Sequence, residues 1–240
     1  MFKHAFKHIF TYRIFTYLYV PLHIFEPIFN LHPYFLMQAS PADIIVQQPQ
    51  GTPAQLILLM HGFGANADDL APIGEHLGTL FPQAYIVCLA APEPADFGGM
   101  LGSGLQWFPI QFPRDPRSDE VRFTGVSKAL PAFVERVRHW QTKTGVSAEA
   151  TALFGFSQGG VMALEAAKQT PIVASRIFAH SSRFAMLPDA IPAEVSLHLI
   201  HGKTDEVITY DHCVKAAERL QTLAADFTAD VIPFLAHSIN

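Results

Sequence analysis

The sequence predicts an α/β domain, a mostly parallel sheet with helices on both faces, and three features carry that expectation. From residue 37 onward, short apolar runs alternate with longer stretches of helical periodicity, the pattern of repeated β-α units. The apolar runs are close to continuous, as in residues 54–60 (AQLILLM), which suits strands covered on both faces. The third feature is a short strand, residues 150–154, that runs into a helix through Gly155-Phe156-Ser157-Gln158-Gly159.

In chain order, residues 43–46 form a first strand, and Gly51 with Pro53 turns the chain into the second, 54–60, which ends in His61-Gly62-Phe63-Gly64. Residues 66–77 read as a helix, with Asp68 and Asp69 near the positive end of its dipole. Strand 84–90 follows. Residues 93–117 are rich in Gly and Pro and too long for a plain connection, which marks a functional loop. Residues 119–144 form a long helix, bent at Pro131 and stopped by Gly145. Beyond Ser157 a helix opens at Val161 and ends near Pro171. Strands 175–179 and 195–200, a helix over 211–225 and a strand over 228–233 complete the pattern.

Half of the 240 residues are hydrophobic, enough for one large domain with a sizeable core. The formal net charge is -5 and the basic residues are scattered, which argues against nucleic acid as a partner, since phosphate binding rests on clustered Lys and Arg. Cys88 lies inside an apolar run and pairs with no metal-ligand spacing; with Cys213 as the only other cysteine, the chain suits a reducing, cytoplasmic location.

Residues 1–36 have a different character, crowded with Phe and Tyr in near-repeats. Arg13, Pro21, His23, Glu26 and Pro27 interrupt the run of about 20 apolar residues that a membrane span needs. The prolines also break the apolar core of a signal peptide. Aromatics with a few basic residues suit peripheral association with a lipid surface. The preferred reading is a low-complexity extension outside the fold, with the α/β domain at residues 37–240.

The chemistry is placed by the ends of the strands. A serine between strand and helix in G-x-S-x-G has the form of a nucleophile elbow, and the bland alternative is a helix cap. The loop His61-Gly62-Phe63-Gly64 ends an early strand, where the backbone N–H of Phe63 can join that of Gln158 in a two-point oxyanion hole. Asp205, in His201-Gly202-Lys203-Thr204-Asp205-Glu206, follows a strand and can orient a histidine. It is preferred to Glu206, which precedes apolar Val207 and Ile208. His237 follows the last strand, so Ser157, Asp205 and His237 occur in the chain order of an α/β-hydrolase triad.

The set HGFG, WFP, GFSQGG, HGKTDEVI and LAHSI resembles the phospholipase/carboxylesterase family of α/β-hydrolases, which includes acyl-protein thioesterases. The resemblance spans residues 37–240 and is nearest to bacterial esterases of that family. It implies Ser157, Asp205 and His237 as catalytic residues, Phe63 and Gln158 as oxyanion donors, and Trp107 on a loop lining the acyl pocket. A plain core aromatic stays open for Trp107. Neither a metal nor an organic cofactor is implied.

Two departures from the family pattern stand out. Residues 1–36 have no counterpart, and the chain stops shortly after His237, where such enzymes continue into a final helix that braces the histidine loop. The expected activity is hydrolysis of carboxylic esters or thioesters, on a small-molecule or acylated substrate. The alternative is a catalytically inactive binding protein on the same α/β-hydrolase fold, lacking that final helix. A metal-dependent hydrolase built on His61, His201 and Asp205 is a further rival, although these three lack ligand spacing within one element. A homodimer is compatible with the sequence.

If residues 1–36 lie outside the fold, a chain begun at Met37 keeps the circular dichroism spectrum and the ester turnover of the full chain and is more soluble. Loss of folding on their removal would reverse that reading.

Overall fold

Seven strands form a single sheet whose inner apolar runs, such as residues 56–60 and 84–89, are buried, while its last strand, residues 226–232, is largely exposed. The structure, a computed structural model, describes residues 42–97, 101–110 and 118–239. The expectations for residues 1–36, and for parts of the long loop at 98–100 and 111–117, lie outside the described residues. The strands are β1 (Ile44–Gln47), β2 (Gln55–Met60), β3 (Ala84–Leu89), β4 (Glu93–Asp96), β5 (Leu101–Gln106), β6 (Thr151–Phe156), β7 (Arg176–His180), β8 (Ser196–Gly202) and β9 (Asp226–Ile232). The helices are α1 (Ala71–Leu80), α2 (Ser118–Thr144), α3 (Gln158–Ala166) and α4 (Asp211–Thr222).

The main sheet has the order β1-β3-β2-β6-β7-β8-β9 and is parallel except at β1, which runs antiparallel to β3 with Ile44 opposite Cys88. Side chains alternate across the strands and so sort into two cores. Leu56, Leu58 and Met60 of β2 join Phe133, Val137 and Trp140 of α2, Val161 to Leu164 of α3, and Cys213, Ala216 and Leu220 of α4. Ile57 and Leu59 point the other way, to Leu70 and to Ile73 and Leu77 of α1. Helices therefore cover both faces, as the sequence pattern predicts.

Several elements differ in detail from the sequence expectation. The helix expected over 66–77 begins as a 3-10 turn, Ala67–Leu70, and restarts as α1 with Pro72 in its first turn. Pro72 has no N–H, and the first turn of a helix is where that donor is not needed. The long loop after β3 contains a hairpin, β4 with β5, in which Glu93 pairs with Gln106. This hairpin is tied back to the loop after β2: Gly64 N–H donates to Leu105 O and Leu105 N–H to Ala65 O, each at 2.9 Å. Pro131 does lie inside α2, and Gly145, at φ 71°, follows the helix, with Val146 N–H donating to Gln141 O.

The chain enters the sheet at Asp43, a partly buried carboxylate. Its oxygens accept from Ala90 N–H at 2.9 Å, from Trp140 Nε1–H at 2.8 Å and from the Arg136 guanidinium, whose Nη1 also donates to Ala90 O at 2.6 Å. One side chain thus joins β1, the end of β3 and α2. Asp43→Ala removes the partner of two nitrogens of a partly buried guanidinium and of two further N–H groups, so it should lower unfolding stability by about 2–4 kcal/mol. Urea denaturation checks this, and a change below about 0.5 kcal/mol would contradict it.

Candidate active site

The turn between β6 and α3 is tight enough to need special residues. Ser157 sits at φ 51°, ψ -115°, a conformation that costs a non-glycine residue about 1–3 kcal/mol. Three hydrogen bonds hold it: Ser157 N–H donates to His180 O at 2.9 Å, Ser182 Oγ–H to Ser157 O at 2.8 Å, and Val161 N–H to Ser157 O at 3.1 Å. A Cβ at Gly155 would stand 2.4 Å from Gly160 N, and one at Gly159 would stand 2.4 Å from Met60 O. Only glycine lets α3 approach the ends of β6 and β2 this closely.

Ser157 Oγ lies 2.9 Å from His237 Nε2, and His237 Nδ1 lies 2.8 Å from Asp205 Oδ2. An ionised carboxylate can only accept, so Nδ1 carries the proton and Nε2 is left to accept the serine hydroxyl. Asp205 is buried and its other oxygen accepts from Val207 N–H and Ile208 N–H, both at 2.9 Å. Burial alone would raise its pKa; the hydrogen bonds from His237 and the two N–H groups, with the charge of His237, hold it below the ordinary value. The neighbouring acid Glu206 is exposed. The structure therefore brings Ser157, Asp205 and His237 into one hydrogen-bonded chain.

The loop bearing His237 is attached to the loop bearing Asp205. Thr204 donates to Leu235 O through both N–H (3.0 Å) and Oγ1–H (2.8 Å), and Lys203 N–H donates to Ile232 O at 2.9 Å. A Cβ at Gly202 would stand 2.3 Å from Leu235 O, so the two loops are in backbone contact. These bonds brace His237 without a further helix among the described residues.

The loop after β2 lies against the elbow. A Cβ on Gly62 would stand 3.3 Å from Ser157 Cβ. Gln158 is the first residue of α3, where backbone N–H groups have no partner in a preceding turn. Phe63 and Gln158 thus flank the serine from two elements. Trp107 is buried in the core, its ring edge-on to Phe133, and its contacts are with protein groups. Indole Nε1–H donates to His61 O at 2.9 Å, and backbone N–H donates to the Gln158 Oε1 at 2.8 Å.

Of the three residues of the metal reading, His201 and Asp205 meet, with His201 Nε2 3.4 Å from Asp205 Oδ2, while His61 is engaged elsewhere. His61 Nδ1–H donates to Gly62 O at 2.7 Å and its Nε2 accepts from Ala91 N–H at 3.1 Å, so both ring nitrogens are occupied. His201 Nε2–H donates to Ile208 O at 2.7 Å, beside Asp205. Among the described residues no group of three His, Cys, Asp or Glu is arranged to hold a metal ion.

Sequence reasoning missed His180 and Ser182, at and just beyond the end of β7, which fix the elbow backbone. Their only signal is a polar pair ending an apolar strand. Burial pushes the His180 imidazole down to about 4; His201 and His237 act in the same direction and Asp205 opposes them. The unfolded chain, with an ordinary histidine pKa of about 6.5, binds a proton between these values that the native state refuses. The stability tied to neutral His180 is present above about pH 6.5 and is lost as pH falls toward 4, amounting to about 2 kcal/mol at pH 5. Burial lowers His61 too, with the same sign. In urea denaturation, His180→Phe should narrow the stability gap between pH 8 and pH 5 by about that amount; an unaltered gap would refute the assignment.

Comparison with known proteins points to one family. The phospholipase/carboxylesterase family model matches residues 41–240. The chain is 40% identical over 196 residues to Esterase YpfH of Escherichia coli (strain K12), covering 82% of this chain and 81% of that protein. Among solved structures, esterase PE8 superposes with a TM-score of 0.71 at 26% identity, over 84% of this chain and 92% of the other. Acyl-protein thioesterase 2 of Zea mays shares the fold, with a TM-score of 0.61 at 20% identity over 83% and 93%. With an elbow serine hydrogen-bonded to a histidine and a buried aspartate, and with a family match over most of its length, the chain belongs to the phospholipase/carboxylesterase family of α/β-hydrolases.

Proposed function

We propose that the chain is a serine hydrolase of carboxylic esters and thioesters that works through an acyl-enzyme on Ser157. The observation that carries this is the unbroken hydrogen-bonded chain Ser157–His237–Asp205 at a strained elbow. Ser157 Oγ attacks the acyl carbonyl as its proton passes to His237 Nε2. Negative charge gathers on the carbonyl oxygen, and the backbone N–H groups of Phe63 and Gln158 donate hydrogen bonds to it. Collapse of the tetrahedral intermediate expels the alcohol or thiol, which takes the proton from His237. Water activated by the same imidazole then releases the acid and restores Ser157. Asp205 keeps the proton on Nδ1 throughout and stabilises the imidazolium. The sequence of steps balances without a metal or organic cofactor.

The esterase name of the Escherichia coli relative supports the ester assignment. A small-molecule or acylated substrate fits the reaction. No helix among the described residues is long and apolar enough to cross a membrane. Cys88 and Cys213 are free, buried thiols, which supports a cytoplasmic location.

Ser157→Ala should abolish turnover of p-nitrophenyl butyrate and labelling by a fluorophosphonate while leaving the circular dichroism spectrum intact. Asp205→Asn should lower kcat by about 10³–10⁴ through the wrong tautomer, and Glu206→Gln should change it less than about threefold. Full turnover by Ser157→Ala would overturn the mechanism; a greater loss in Glu206→Gln than in Asp205→Asn would move the acid.

A further inference from the structure

The resemblance to esterases implies Trp107 as a wall of the acyl pocket, yet its polar atoms are spent on the protein. On the serine-hydrolase reading above, we propose that the Gln158 side chain and the Trp107 indole are positioning residues that hold the two oxyanion donors in register. Both residues are 3% exposed, too buried to be surface groups. Gln158 Oε1 accepts from Trp107 N–H at 2.8 Å, and Gln158 Nε2 donates to Phe108 O at 2.7 Å. The residue whose own backbone supplies one donor thus grips the 107–108 segment through its side chain. From that segment the indole Nε1–H reaches His61 O at 2.9 Å. A Cβ at Gly159 would stand 2.7 Å from the same carbonyl oxygen, so His61 O is wedged between the first turn of α3 and the indole.

The last link is the peptide plane. His61 Nδ1–H donates to Gly62 O at 2.7 Å, and Ala65 N–H approaches it at 3.4 Å. A trans peptide sets its N–H opposite its C=O, so fixing Gly62 O also fixes the direction of Phe63 N–H. The chain Gln158 side chain, Trp107, His61, Gly62 therefore connects the donor at the start of α3 with the donor after β2. Each member is buried and hydrogen-bonded to another member or to an adjoining backbone group, and such a network specifies one arrangement. Transition-state charge is stabilised only by donors already in place, so the clamp acts on the chemical step and not on substrate binding.

Trp107→Phe keeps an aromatic ring and removes the Nε1–H; Gln158→Met removes both side-chain bonds and leaves the backbone donor. With p-nitrophenyl butyrate, each should lower kcat about tenfold to a hundredfold with KM changed less than about threefold. The affinity of butylboronic acid, which forms a tetrahedral adduct with the serine, should fall in parallel with kcat/KM, and inhibition by butyrate should be unchanged. Thermal melting identifies a variant that fails to fold; the other then serves alone, and p-nitrophenyl acetate against the octanoate supplies a second readout, with equal losses expected. A raised KM that grows with acyl length at constant kcat would make Trp107 a substrate wall and overturn the proposal. So would boronate affinity within about twofold of the parent in both variants. Failure of the serine-hydrolase reading is separate and shows as full turnover by Ser157→Ala.

Discussion

Everything at the carboxyl edge of this sheet depends on holding Ser157 in a backbone conformation it would not choose. A φ of 51° is unfavourable for serine, and the compensation comes from the neighbours: the β7 carbonyl of His180 and the hydroxyl of Ser182 pin the peptide groups on either side of it. Those neighbours can reach it only because β6 and β7 pair in parallel register, with Phe156 opposite His180. The strain is therefore sustained by the sheet itself. Relaxing it would turn the hydroxyl away from His237 and break the packing of α3 on β2, where Gly159 already touches the Met60 and His61 carbonyls.

Strand order then decides which loops can serve that serine. β6 lies between β2 and β7, so the loop after β2 and the residues after β7 flank the elbow directly. β8 and β9 lie one and two strands farther, and their loops carry Asp205 and His237. Because β8 and β9 are themselves paired in parallel, the acid and the imidazole emerge side by side, and Thr204 binds the two loops together. This is the general tendency of parallel sheets to place ligand sites beyond their carboxyl ends, here with five consecutive strands contributing.

Much of this was legible in the sequence because the signals are local. The strand–glycine–serine–glycine–helix join needs only its own residues to be read, and continuous apolar runs identify strands buried on both faces. What was not legible depends on partners far along the chain. The antiparallel direction of β1 leaves no trace in its four residues, and the β4–β5 hairpin hides in a stretch whose Gly and Pro content reads as loop. The bonds of Trp107 to His61 and Gln158 join residues that sequence spacing alone cannot associate. Asp205 and Glu206 are chemically near-identical adjacent acids; only one is turned inward, and the backbone N–H groups of Val207 and Ile208 that hold it are invisible to any side-chain pattern.

The histidines show how one side chain can be assigned different work by its second nitrogen. His61, His180, His201 and His237 all lie at the carboxyl ends of strands, and residue type does not separate them. His61 has both nitrogens engaged by backbone groups, which fixes a neutral tautomer and makes it a structural pin. His201 gives its Nε2–H to a carbonyl beside Asp205. His180 has a buried Nδ1 with no partner, so protonation would place an unsolvated charge in the core, and its pKa falls accordingly. Only His237 couples a carboxylate at one nitrogen to a hydroxyl at the other, and it is also the partly exposed member, with 17% of its side chain open to solvent. A proton relay needs a group that is held by an anion on one side and open to substrate on the other. The geometry meets both conditions at one imidazole; of the other three, His61 and His201 bind backbone groups through their rings, and the His180 ring is buried with its Nδ1 unpaired.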